Sequence, residues 1–304
     1  GERQVVGGVA ADDVESGHLG GSDPAARVKD MNTDGIDAEV LYPTMCFGLW
    51  RAPDIPYQNA CMRAYNDWMV DFCANDPGRL IGIGLVSLMD INAGVNELKR
   101  IAAKGLRGAC ISAVAPDDRP YRDPFYDPFW AAAQELEMPL SLHIFTGSRI
   151  EVESSDFHTE YALLPRWVQG TIGGMIHAGV MERYPRLKVA SVEVDIGWIG
   201  TFLRRIDHAY QRYRHYSGRV SQLKMWPSEY FHRQVYATFM DDEPGIATRH
   251  YAGVDNIMWS SERPHGRASF PCSQEYVAQH LSKVSETDRQ KTVHDAAAKF
   301  YGLG

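Results

Sequence analysis

The chain has 304 residues, 44% of them hydrophobic, enough to bury one barrel-sized core or two ordinary ones. A formal net charge of −8 and a pI near 5.8 argue against a nucleic-acid or anionic-membrane partner. No run reaches the roughly 18 apolar residues of a membrane span, and Gly1-Glu2-Arg3-Gln4 lacks the apolar stretch of a signal peptide. Five cysteines (Cys46, Cys61, Cys73, Cys110, Cys272), an odd number with no Cys-x-x-Cys, fit reduced thiols in a cytoplasmic protein.

Residues 1–23, rich in Gly, Asp and Ser, read as loop. A helix is expected from Pro24, capped by Asp23, to the region of Gly35. Glu39 to Pro43 reads as a strand, and Thr44 to Pro56 as a loop unusually rich in large apolar residues, which implies packing over something. Tyr57 to Ala74 is an amphipathic helix stopped by Asn75-Asp76-Pro77-Gly78. Strands follow at 80–86, 108–112, 140–145, 187–193, 234–239 and 257–260. Helices are expected at 95–103, 128–137, 166–183, 198–213, 244–251, 273–281 and 287–300. A long insertion, 146–165, follows the strand that ends near Phe145.

The strands are short and apolar without clean alternation, and helices follow them, the mark of a parallel sheet covered by helices. Seven such strands are read, and no Gly-x-Gly-x-x-Gly supports a dinucleotide fold. A closed barrel needs one strand more, which belongs at the N-terminus. The fold class is therefore α/β, a TIM (β/α)8-type barrel in one domain spanning 1–304, with its first strand missing from this chain.

Barrels place catalytic groups at the C-terminal ends of strands, and that rule selects His143, Glu193, Glu262 and His265. Each has a plain alternative: a core histidine, a helix cap, a surface loop. Their joint occurrence at three strand ends points to a metal site. His177 reads as packing and His158 as an entrance or solvated residue. Asp241-Asp242 reads as a solvated helix start or as support for the site. No Ser-His-Asp arrangement or Gly-x-Ser-x-Gly stands out.

Several stretches resemble the amidohydrolase-2 group of TIM barrels, which includes the aminocarboxymuconate-semialdehyde decarboxylases. They are Gly20 to Arg27, Asp34-Gly35-Ile36-Asp37, Tyr42-Pro43, Gly179 to Lys188, Glu193 to Trp198 and Trp259 to His265. The resemblance runs through nearly the whole chain in order. Two positions depart from it: the group carries a catalytic His where Glu193 stands and a metal-binding Asp where Glu262 stands. The group's first strand, with its N-terminal metal ligands, has no counterpart here.

Within the group, the carboxylate-rich set is most like the non-heme di-iron monooxygenase branch of platensimycin and platencin biosynthesis. That likeness implies two iron ions held by His143, Glu193, Glu262 and His265. Glu193 and His265 would also serve catalysis, and the substrate would be an apolar terpenoid or CoA-linked acyl group. Phe47, Trp50, Phe145, Phe157, Tyr161 and Trp167 would wall the substrate pocket. The alternatives are a hydrolase or decarboxylase of a small organic acid using zinc or manganese, and a non-catalytic binding barrel. A small-molecule partner is expected, without nucleic acid or membrane, and a homodimer is the default assembly.

Overall fold

A computed structural model describes residues 5–6, 9–10, 19–43, 45–147, 156–216, 223–265 and 268–303. Within the stretch read as loop, β1 (Val5–Val6) and β2 (Val9–Ala10) form a small antiparallel pair of their own. Eight further segments follow: β3 (Glu39–Leu41), β4 (Leu80–Gly82), β5 (Gly84–Leu85), β6 (Ala109–Ser112), β7 (Leu140–His143), β8 (Val189–Val192), β9 (Val235–Phe239) and β10 (Ile257–Trp259). All pairings among them are parallel: β3 lies beside β4, and the others run in the order β10-β9-β8-β7-β6-β5. β4 and β5 are two halves of one strand parted at Ile83, whose N–H donates to Leu41 O at 3.3 Å. The seven staves read from the sequence are thus all present, in chain order, as an α/β barrel of the TIM type.

Strict alternation divides the core in two. Ile111, Leu140, Leu142, Val189, Val235, Phe239 and Ile257 face outward and pack against the helices. Ile83, Leu85, Cys110, Ala190, Val192, Tyr236 and Met258 face inward and fill the barrel. Because both faces are buried, the strands carry no polar alternation, which is why they read as apolar runs. Burial in that interior pushes the Cys110 thiol far above its ordinary range.

Among the described residues no strand joins β10 to β3. Ala296, Phe300 and Tyr301 of the last helix, Ala296–Tyr301, join the interior cluster with Met258 of β10, and Val40 and Tyr42 pack against it from the other side. Tyr42 Oη lies 2.5 Å from Tyr301 Oη and 2.7 Å from Ser141 Oγ. Burial and the adjoining Tyr301 hold the Tyr42 phenol well above its usual pKa, and burial pushes Tyr301 up to about 12.

The helices follow their sequence signals closely. Pro24–Asp34 is capped by Asp23 Oδ1, which accepts the Ala25 and Ala26 N–H groups, and ends at Gly35 with φ 69°. The span expected at 166–183 divides into Pro165–His177 and Val180–Arg183 because Gly179 turns left-handed, φ 73°. The span at 244–251 is two short helices, Glu243–Ala247 and Arg249–Ala252. Two α-helices were not anticipated: Phe157–Ala162 within the insertion, and Pro227–Gln234, which opens on Trp226-Pro-Ser-Glu229, whose carboxylate accepts the Trp226 N–H at 2.6 Å. No described helix is long and apolar enough to cross a membrane.

Candidate active site

His143 ends β7 facing inward, two residues beyond Ser141 on the same face. Its side chain is buried, and Nδ1 lies 2.8 Å from Ile144 O. A carbonyl only accepts, so Nδ1 carries a proton there. The other nitrogen, Nε2, stands 3.1 Å from Glu193 Oε2. At that distance a proton carried by either atom can be donated to the other.

Glu193 reaches His143 through its backbone. Val192 points into the barrel, so strict alternation would send residue 193 outward to the helices. Instead Glu193 adopts φ 62° and Asp195 φ 54°, both left-handed and strained for non-glycine residues. Two groups from β9 and its exit hold that turn. Thr238 Oγ1 accepts the Glu193 N–H at 2.9 Å. Asp242 Oδ2 accepts the N–H groups of Ile196 at 2.7 Å and Gly197 at 2.6 Å, while its Oδ1 caps the next helix through the Gly245 N–H at 2.8 Å. Gly245 must be glycine for this approach, since a Cβ there would stand 2.3 Å from Asp242 Oδ2. Asp242 therefore shapes the site as well as starting a helix.

Beyond β10, Glu262 is also left-handed, φ 54°, and its carbonyl accepts the His265 N–H at 2.9 Å. The tight turn returns His265 toward the pair, with Nε2 at 4.0 Å from Glu193 Oε1. The structure thus brings His143, Glu193 and His265 to one place. Among the described residues no group of three His, Cys, Asp or Glu is set out to hold a metal ion.

The aromatic wall is smaller than expected. The segment Met45–Arg51 winds as a 3-10 turn over the mouth. Its Phe47 ring lies 4.2 Å from the His143 ring, and Trp50 lies 6.5 Å from Phe47. Gln58 ties the turn down: Nε2 donates to Leu49 O at 2.7 Å and Oε1 accepts the Ser87 hydroxyl, both side chains being buried. Phe145, at φ 62°, and Trp167 pack against the outer core instead, with Arg166 over the Trp167 ring at 4.6 Å. Tyr161 is exposed, and the side chain of Phe157 lies outside the described residues. Thr238, Gln58, Ser87 and Tyr301 were not singled out from the sequence. Asp242 had a signal, the cap-like Asp-Glu-Pro-Gly, whose reach to a second loop no spacing rule reveals.

A parallel α/β barrel with a close His–carboxylate pair at the C-terminal mouth of its strands defines a class of barrel enzymes. The chain belongs to the amidohydrolase family, whose profile matches residues 16–303. It is 25% identical over 292 residues to a 2-amino-3-carboxymuconate-6-semialdehyde decarboxylase of Dictyostelium discoideum, covering 92% of this chain and 77% of that one. A solved 5-carboxyvanillate decarboxylase from Sphingomonas paucimobilis superposes with a TM-score of 0.77 at 24% identity, covering 91% of this chain and 82% of that one. A dihydroxybenzoic acid decarboxylase from Polaromonas sp. JS666, solved with manganese and the inhibitor 2-nitroresorcinol, gives 0.74 at 21% identity, covering 91% and 85%.

These findings overturn the expected di-iron monooxygenase acting on a terpenoid or CoA-linked acyl group. The similar proteins are decarboxylases of small acids, and nothing among them points to iron, O2 or CoA. Glu193, read as an added iron ligand, stands with Oε2 3.1 Å from His143 Nε2.

Proposed function

We propose that the protein is a non-oxidative carboxy-lyase acting on a small hydroxylated aromatic or enolic carboxylic acid. The observation that carries this reading is the 3.1 Å contact of His143 Nε2 with Glu193 Oε2, with Nδ1 fixed on Ile144 O. The decarboxylases to which the chain is similar support the choice of reaction.

Loss of CO2 from an electron-rich ring begins with a proton added to the carbon that bears the carboxylate. The C–C bond then breaks, CO2 departs, and the electron pair returns to the ring. Atoms balance with one proton taken up and one CO2 released. The proton shared by His143 and Glu193 is the one delivered, and Phe47 provides a flat face beside it for an aromatic ring. The turn of Met45–Arg51 excludes water from the reacting carbon, which keeps the shared proton from exchanging before transfer. His265 Nε2, 4.0 Å from Glu193 Oε1, steadies the negative charge that Glu193 carries once the proton has gone.

In this reading the catalytic groups are His143 and Glu193, with His265 beside them, in a cytoplasmic enzyme whose five cysteines form no disulfide. A similar protein binds manganese. Incubation with 2,6-dihydroxybenzoate and 5-carboxyvanillate, with and without added manganese, tests the reading. CO2 release is expected, with one deuteron from D2O on the carbon that lost the carboxylate. Oxygen uptake with a hydroxylated product, or no CO2 from any acid, would reject it.

A further inference from the structure

The helix Pro24–Asp34 carries Arg27, Asp30 and Asp34 at spacings of three and four residues, so the three side chains share one face. Each holds a different element. Arg27 Nε donates to Glu39 of β3. Asp34 Oδ1 and Oδ2 accept the N–H and the hydroxyl of Ser273, at 2.8 and 2.6 Å, where the helix Ser273–His280 starts. Asp30 Oδ2 accepts from Nη2 of Arg263, which lies in the turn between Glu262 and His265. The helix thus brackets β3 and the exit of β10, between which no described strand lies.

Arg263 is a costly occupant of that turn. Its side chain is 3% exposed and its guanidinium lies over the Phe270 ring at 4.2 Å, while Nε and Nη1 are buried without a hydrogen-bond partner among the described residues. A buried ion pair with donors left over gives little net stability, and an apolar side chain of similar bulk would serve a plain core better. What the pair does fix is geometry. It ties the middle of the turn that carries His265 to a helix anchored at two other points. Gly20 leaves room for it, since a Cβ there would lie 2.7 Å from Asp30 Oδ2 and 3.0 Å from Arg263 Nη2.

We propose that Arg263, held by Asp30, is the positioning residue that sets the His265 imidazole beside Glu193. The His265 N–H donates to Glu262 O within the same turn, and its Nε2 stands 4.0 Å from Glu193 Oε1, so a turn released from Asp30 carries the ring away from the carboxylate. The proposal rests on the carboxy-lyase reading for what His265 does there. It goes beyond that reading in naming what places the ring.

A double-mutant cycle on the full chain tests it. Asp30→Ala removes the anchor and leaves His143, Glu193 and His265 in the sequence. With 2,6-dihydroxybenzoate it should lower kcat about tenfold and change KM by less than about twofold. In a His265→Gln background the same substitution should cost less than about twofold, because the ring to be placed has gone. Gly20→Ala, which crowds the pair from outside, should repeat this pattern and serves if Asp30→Ala fails to fold. An equal loss in both backgrounds, as general destabilisation would give, or no loss in the wild-type background, would overturn the assignment. The ring 1H–13C signal of His265 is a readout without turnover. It should move in Asp30→Ala while that of His143 stays, and a stationary His265 signal, or equal movement of both, overturns the proposal. If His265 alone moves while no acid yields CO2, the carboxy-lyase reading fails and the placement of His265 by Arg263 stands.

Discussion

Glu193 Oε2 lies 3.1 Å from His143 Nε2 although the alternation of β8 would turn residue 193 away from the barrel. The left-handed backbone at Glu193 supplies the reversal, and Thr238 and Asp242 hold it. Geometry at this point is set by the main chain, and the side chain supplies only the chemistry.

Glu193→Gln keeps the shape and removes the charge that retains the shared proton. Catalysed CO2 release is expected to fall by about 10²- to 10⁴-fold in kcat with little change in KM, as for loss of a positioned acid–base group. Steady-state kinetics on 2,6-dihydroxybenzoate would show it. A rise in KM with kcat intact would mean that Glu193 binds substrate and does not move protons.

Thr238→Val is nearly isosteric and deprives the Glu193 N–H of its acceptor. A buried N–H left unpaired costs about 1–3 kcal/mol. Both stability and kcat should drop, and Thr238→Ser should restore both. Restoration of stability without restoration of kcat would show that the hydroxyl does not hold Glu193 in place.

Asp242→Ala removes a carboxylate that accepts three backbone N–H groups across two loops. A stability loss of about 3 kcal/mol is expected, seen as a lower urea midpoint with an unchanged m-value. Asp242→Asn retains two lone-pair acceptors and should lose less. A midpoint within error of wild type for Asp242→Ala would remove the clamp from the account.

His177 gives a pH prediction with a definite sign. Burial holds its pKa below the ordinary 6.5, outweighing the Ile206 carbonyl 3.4 Å away. The unfolded chain therefore binds more protons than the native one in the window between the depressed value and 6.5, and stability falls as pH drops through that window. His177→Gln should flatten the dependence of the melting temperature between about pH 7 and about pH 5 relative to wild type. An identical slope in the two proteins would place the acid sensitivity elsewhere.

The seven staves and the residues at their ends were legible because a parallel barrel buries both strand faces and leaves polarity only where strands stop. His143, Glu193 and His265 follow from that rule. Glu193 being turned inward does not, since alternation predicts the opposite and positive φ at a glutamate has no sequence mark. The pocket was over-read for a related reason. Tyr161 lies on a short helix within the insertion and Trp167 on the helix that follows it, and an aromatic count does not say which face of the strand layer a ring will meet. The reaction was misjudged because a glutamate at 193 does not say which chemistry it serves, and the similar proteins are decarboxylases.

Phe145, Glu193 and Glu262 are three non-glycine residues held left-handed at strand exits around one mouth. Each costs on the order of 1 kcal/mol or more, which glycine would not. A campaign of directed evolution scored on heat resistance alone would thus be drawn to glycine at these very codons. It would harvest sturdier barrels that had gone chemically silent.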